Sequence, residues 1–305
     1  MSDVRHVGPA VGPRAVIAAY VNLTKPRIIE LLLITTVPAM FLAAGGIPPL
    51  GLVAVTMVGG YLAAGSANTF NNVLDRDIDE AMRRTRTRAL PRHRVEPRAA
   101  VLFAIILGVG AAIVLGVGAN WLSAALALLA NAFYVLGYTM LLKRRTSQNI
   151  VWGGLAGCFP PLIGWTAVTG SVAWAPLILF AVVFFWTPPH TWALAWRYKE
   201  DYAAGGVPML PVLKGPRAVT VQILLYTVAT VIVSLLLWPV ARTGWLYPAA
   251  AGIAGAWFLL EAVGLLRRAY AGADDVTAKP MRLFHVSNAY LALVFLAAAV
   301  DPLLF

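Results

Sequence analysis

The sequence predicts an all-α fold, a polytopic membrane bundle of nine transmembrane helices forming one domain over residues 1–305, and three observations predict it. Of the 305 residues, 60% are hydrophobic and 12% charged, against roughly a quarter charged in an average soluble protein. A water-facing surface cannot be assembled from so few charges. Apolar stretches of about the 20 residues that cross a bilayer recur from end to end, and Lys and Arg gather in alternate connections between them.

Taken in order, residues 1–27 form a cytoplasmic N-terminal segment. Its longest apolar run, Ala15–Val21, is short and is followed by Lys25-Pro26-Arg27, so no cleavable secretory pattern is present. Arg14–Leu23 reads as a short helix lying on the inner surface. The spans follow near 28–46, 50–70, 98–117, 120–142, 149–168, 173–193, 219–240, 244–265 and 285–304. The net charge of +11 would suggest nucleic acid in a soluble protein, but its confinement to the gaps between spans makes it a topology signal and argues against a nucleic-acid partner. The positive-inside rule places the N-terminus in the cytoplasm and the C-terminus outside, which requires an odd number of spans.

Two cytoplasmic connections are longer than the rest, about 71–96 and 197–217. Both begin with helical sequence and end in Leu-Pro, at Leu90-Pro91 and Leu210-Pro211, which suggests two related halves and places the active region here. Pro160-Pro161 and Pro188-Pro189 interrupt the fifth and sixth spans; such breaks are tolerated in membranes where other groups satisfy the freed carbonyls, often beside a cavity. Cys158 cannot form an internal disulfide and reads as a small packing residue.

The stretch Asn71-Asn72-Val73-Leu74-Asp75-Arg76-Asp77-Ile78-Asp79 carries the chemistry. Asn71, Asp75 and Asp79 are four apart, so on an α-helix they share one stripe. Hard oxygen donors in this number suit Mg²⁺, which takes one or two carboxylates plus substrate phosphates. Carboxylates gathered at a membrane boundary are costly without a cation; the competing reading is a solvated acidic helix end paired with nearby arginines. Asp77 falls on another face and is expected to pair with arginine.

Arg83, Arg84, Arg86 and Arg88 follow at once, then Arg92 and Arg94. Guanidinium groups grip phosphate in a bidentate fork, so Arg84 and Arg88 are singled out as diphosphate contacts, with lipid contact as the alternative. Tyr198, Lys199 and Asp201 at the exit of the sixth span are candidates for a facing catalytic wall. Lys143 and Arg144 are candidate phosphate contacts, with ordinary positive-inside anchoring as the stronger alternative. His190, at the inner edge of the membrane, is a candidate iron ligand or a core histidine.

These residues, with Met82-Arg83-Arg84-Thr85, Leu23-Thr24-Lys25-Pro26-Arg27, Lys143-Arg144-Arg145-Thr146, Pro160-Pro161-Leu162-Ile163-Gly164-Trp165 and Tyr198-Lys199-Glu200-Asp201-Tyr202, resemble the UbiA superfamily of membrane prenyltransferases, and within it the protohaem IX farnesyltransferase branch. The match runs from residue 23 to about 211, with a weaker echo around Phe284–Tyr290. Arg197 stands where many relatives carry the first aspartate of a second acidic motif, leaving Asp201 alone. The resemblance implies a UbiA-type helical fold in a bacterial plasma membrane, an Mg²⁺-dependent transfer from farnesyl diphosphate to haem B with addition of water, and Arg27 as a further substrate contact. Haem A synthase or oxidase-assembly proteins are the partners it implies. A quinone-precursor prenyltransferase would share the magnesium site. A secondary transporter would instead carry its essential acids near the bilayer midplane.

Overall fold

The structure, a computed structural model, describes residues 12–91, 95–273, 275 and 277–305, with the backbone alone at 27–33. The expected roles of Arg92 and Arg94 lie outside these residues, as does the side chain of Arg27. The helices are α1 (Pro13–Thr24), α2 (Pro26–Ala44), α3 (Leu50–Leu74), α4 (Arg76–Ala81), α5 (Pro97–Gly118), α6 (Trp121–Ala132, continued as a π-helix over Phe133–Leu142), α7 (Asn149–Gly153), α8 (Phe159–Thr169), α9 (Trp174–Arg197), α10 (Lys199–Ala204), α11 (Leu210–Leu213), α12 (Pro216–Ala241), α13 (Leu246–Tyr270) and α14 (Pro280–Leu304). Eight helical stretches among the described residues are long and apolar enough to cross a membrane; Ile34–Ala44 of α2 is a shorter apolar helix that packs between α8 and α14. The chain is an integral membrane protein.

The outward faces carry exposed Val117, Leu225, Ile253 and Leu260, which lipid accepts without penalty. Burial of apolar area cannot drive helices together in lipid, so close packing and interhelical hydrogen bonds do. Ser66 on α3 donates to the Ala104 carbonyl on α5 at 2.8 Å, and Trp186 on α9 donates to the Ser287 carbonyl on α14 at 2.7 Å. A Cβ at Gly164 would meet the Thr36 carbonyl at 2.4 Å, so glycine there lets α8 lie directly on α2. Contacts from α2 to α14 and from α14 to α9 join the first long helix to the last.

Three local features position the site. α3 ends at Asp75 (φ −100°, ψ 10°) and α9 at Tyr198 (φ −112°, ψ 25°), and each residue starts a six-residue helix, α4 or α10. The two long connections therefore begin with the same kind of helix break; the sequence predicted their helical beginnings but not the break. The fifth span is broken at a 3₁₀ segment, Gly154–Cys158, with Pro160 and Pro161 in the first turn of α8, whereas α9 runs through Pro188 and Pro189 as one element. The π-helix had no sequence signal.

Candidate active site

Asn71, Asp75 and Asp79 are all buried at the junction of α3 and α4. The amide of Asn71 donates to Asp75 Oδ2 at 2.6 Å and to Thr139 Oγ1 of the π-helix at 3.0 Å. Asp79 accepts from Arg88 Nη1 at both oxygens, 2.8 Å each. Asp75 also pairs with Lys143 through Oδ2, and its Oδ1 accepts no hydrogen bond, with the Arg144 guanidinium 3.7 Å away.

Lys25 stands at the centre of this group. Its ammonium donates to Asn71 Oδ1 at 2.6 Å. Burial, and after it the charges of Arg88 and Lys143, push its pKa down to about 7, opposed by Asp79 and Asp75. It occupies the left-handed region (φ 54°) between α1 and α2, which turns its side chain under the end of α3. Lys25, Lys143 and Arg88 thus surround two carboxylates in a low-dielectric pocket, an arrangement of donors that suits an anionic ligand.

Below the acids lies an apolar chamber of about 410 Å³. α3 contributes Gly60, Ala63, Ala64, Ala67 and Asn68, and the π-helix contributes Tyr134 and Tyr138. The broken fifth span lines it through Gly153, Gly154 and Pro160, matching the expectation that an interrupted span borders a cavity. A Cβ at Gly153 would meet the Tyr138 ring at 2.1 Å, so this glycine makes the space into which Tyr138 fits. Two tyrosines of the π-helix, four apart and with rings 5.4 Å apart, both reach the chamber; π segments frequently mark functional sites.

The remaining predicted residues separate into four groups. Arg84 joins the two cytoplasmic connections: its backbone N–H donates to Asp201 at 3.2 Å, and its guanidinium lies 5.5 Å from the Tyr198 ring centre and 5.9 Å from that of Tyr202. Tyr198 and Asp201 are therefore engaged by Arg84. Lys199, expected on the facing wall, pairs instead with Asp275, which also accepts from Trp196 Nε1 at 2.7 Å. Arg144 clasps Asp77 with both nitrogens at 2.7 Å and the Leu74 carbonyl at 3.0 Å; these bonds hold the Asp77 carboxyl below the usual carboxylate range. His190 is stacked between Trp186 and Phe284, with ring centres 4.2 and 4.4 Å away, and its Nδ1 shares a hydrogen bond with Ser287 at 2.9 Å. These contacts favour the core-histidine alternative, although the residue is half-buried.

Lys25, Asn68, Tyr134, Tyr138 and Thr139 were not predicted as site residues. Lys25 carried a usable signal, a lysine before the helix-starting proline that opens the first span. The donor set fits Mg²⁺: two carboxylates and an amide are gathered, and Asp75 keeps one buried oxygen without a hydrogen bond. No group of three or more His, Cys, Asp or Glu side chains is gathered among the described residues; Asn71 Oδ1 accepts from Lys25 and both Asp79 oxygens from Arg88, which a bound cation would displace.

The chain matches the UbiA prenyltransferase family over residues 32–288. It is 66% identical over 296 residues to a protohaem IX farnesyltransferase of Cutibacterium acnes, covering 97% of this chain and 88% of the relative. A protohaem IX farnesyltransferase of Nocardioides is 65% identical over 95% of this chain and 92% of its own length. Among solved structures, digeranylgeranylglyceryl phosphate synthase superposes with a TM-score of 0.78 at 18% identity, covering 95% of this chain and 99% of that one. A UbiA homologue of Archaeoglobus fulgidus, bound to DMAPP and Mg²⁺, superposes with a TM-score of 0.69 at 17% identity, covering 92% and 99%. At such identities the structures establish the shared fold.

Proposed function

The chain belongs to the UbiA prenyltransferase family, and on that premise we propose that it transfers the farnesyl group of farnesyl diphosphate to a vinyl group of haem B, giving haem O and diphosphate. The observation that carries this reading is the 66% identity to a protohaem IX farnesyltransferase over 97% of the chain. What supports it physically is a buried acidic and cationic site seated over an apolar chamber, the two environments that a prenyl diphosphate needs at its two ends.

Asn71, Asp75 and Asp79 would hold Mg²⁺, which when bound neutralises charge on the leaving diphosphate. Lys25, Lys143 and Arg88 hold the same anion; they are already fixed by Asn71, Asp75 and Asp79, so little reorganisation accompanies charge build-up. Tyr134 and Tyr138 present ring faces where the allylic cation forms, and the apolar wall keeps bulk water from quenching it. Arg84, Tyr198 and Asp201 close one cytoplasmic connection on the other, and Lys199 anchors α10 through Asp275. Arg144 serves the site by fixing Asp77 and the end of α3, and His190 by packing beside the chamber. Arg27 is retained as a substrate contact on the family resemblance. The whole chain acts as one catalytic unit in the bacterial plasma membrane, with the N-terminus and both long connections cytoplasmic and the C-terminus outside.

The test is purified protein in lipid vesicles with Mg²⁺ and farnesyl diphosphate, offered haem B or 4-hydroxybenzoate, with products identified by mass. Formation of haem O is the expected result. Prenylation of the aromatic acid without haem O would move the chain to the quinone-precursor branch.

A further inference from the structure

The chamber contains a polar group with no role in the reading above. Asn68 lies three residues before Asn71 on α3, about one turn or roughly 4.5 Å deeper along the helix. It lines the chamber while only 5% exposed. Its amide nitrogen donates to the Thr24 carbonyl at 2.9 Å. A backbone carbonyl can only accept, so this bond fixes which end of the amide is which: nitrogen toward Thr24, oxygen away from it. No described residue donates to that oxygen.

Its neighbours differ. The hydroxyls of Thr56 and Thr187, also on the chamber wall, donate to carbonyls of their own helices at 2.8 Å. Asn72 donates to the Leu23 carbonyl at 2.8 Å in the same way, but its oxygen is sealed off and it does not line the chamber. Asn131 lines the chamber but is tied to the Ala63 carbonyl, eight residues and roughly 12 Å below Asn71. Asn68 is therefore the chamber amide next to the place where the prenyl carbon and the diphosphate separate.

We infer that Asn68 Oδ1 holds the water that is added to the acceptor. The inference rests on the haem-farnesylating reading. In that reaction the C1–O bond of farnesyl diphosphate breaks, and its electron pair leaves with the diphosphate. The vinyl π pair forms the new carbon–carbon bond to C1, which leaves a cation on the inner vinyl carbon. A water lone pair closes onto this carbon, and the surplus proton passes to the departing diphosphate. Both carbons lie within a few bond lengths of C1, so the water must sit one turn below the metal ligands, at the depth of Asn68. A water that donates one O–H to an amide oxygen keeps a lone pair free to face the cation, and the negative end of the amide dipole favours that charge.

The experiment is product analysis by mass spectrometry on wild type, Asn68→Leu, Asn68→Ser and Asn131→Leu in vesicles, each supplied with Mg²⁺, farnesyl diphosphate and haem B. Without a held water, the cation is quenched by proton loss, giving a product lighter by one water. For Asn68→Leu the ratio of hydrated to dehydrated product is expected to fall roughly tenfold or more, the equivalent of one hydrogen bond to a charged centre. Asn68→Ser, which keeps an oxygen, falls between, and Asn131→Leu keeps the wild-type ratio. The ratio does not depend on how much protein folds, so loss of the Thr24 bond alone would not move it. An unchanged ratio in Asn68→Leu overturns the inference. So does loss of both product and diphosphate release, which would place Asn68 ahead of water capture. If wild type itself makes no haem O, the functional reading fails instead.

Discussion

Asp79 receives both of its hydrogen bonds from one guanidinium nitrogen of Arg88, nine residues further along, at 2.8 Å each. The acid proposed to bind metal is thus held by the arginine proposed to bind diphosphate, and the two cannot be altered independently. Arg88→Ala removes a phosphate contact and also leaves a buried carboxylate without its partner. The expected outcome is a rise of about tenfold or more in KM for farnesyl diphosphate, with a raised Mg²⁺ requirement. Arg88→Lys should recover part of both effects, because a single nitrogen makes both bonds to Asp79. Initial rates over a grid of Mg²⁺ and substrate concentrations separate the two.

Asp75 is the harsher test. It is 1% exposed, pairs with Lys143 and accepts from Asn71. Asp75→Asn keeps the volume but removes the charge that offsets Lys143 and would hold the metal. Turnover should fall by about a hundredfold or more, while the purified protein keeps its helical circular dichroism. Chelation of Mg²⁺ with EDTA should bring the wild type down to a similar level, and readdition should restore only the wild type.

How much of this was legible beforehand follows from the range of each interaction. The acidic stripe was readable because four-residue spacing is a local property of a helix. Asp77 was expected to pair with arginine and does, but with Arg144, 67 residues away, and not with those in its own loop. Lys199 was placed on the facing wall because it lies two residues from Asp201 at the same helix exit. Its partner is Asp275, which only the packing of α9 against α14 and of α13 against α14 could bring near. Lys25 reaches Asn71 across 46 residues; the Lys-Pro step before the first span marks a helix start but does not name that partner. The π-helix is a choice of hydrogen-bond register with no composition of its own, so Tyr134 and Tyr138 were hidden with it.

Lys199 gives a graded prediction from that difference. Its side chain and that of Asp275 are 39% and 43% exposed, so the pair is worth at most about 1 kcal/mol. Lys199→Met should lower kcat/KM only a few-fold, far less than Lys143→Met, whose partner is buried. A comparable loss in both variants would return Lys199 to the diphosphate site.

Gly153 is expected to be intolerant of a single added methyl group. A Cβ there would meet Tyr138 Cδ2 at 2.1 Å, Cε2 at 2.8 Å and Cγ at 2.9 Å, so the ring must move into the chamber or α7 must shift. Either costs about 1–3 kcal/mol. Gly153→Ala should lower the thermal midpoint in detergent and reduce turnover. Tyr138→Leu introduced alongside it should return much of the stability, because the clash disappears with the ring. It should not return the rate, because the aromatic face proposed for the cation goes too. A double variant regaining both would show that Tyr138 contributes bulk and no chemistry.

The opposite end of the bundle depends on Asp301, which is 1% exposed. Its carboxylate accepts from the backbone N–H groups of Gly244 at 2.5 Å and Tyr247 at 2.8 Å, satisfying donors at the start of α13 from the last turn of α14. Helix starts leave such donors unpaired, and a buried one costs about 1–3 kcal/mol when its acceptor is lost. Asp301→Ala should therefore destabilise the protein by that order, while Asp301→Asn, which keeps one acceptor oxygen, should lose roughly half as much. Because the site lies at the other end of α3 and α9, KM for farnesyl diphosphate should be unchanged in the folded fraction of both variants. Thermal unfolding followed by tryptophan fluorescence, with kinetics on the same preparations, checks the separation: a changed KM would mean that the α13–α14 contact is coupled to the active site.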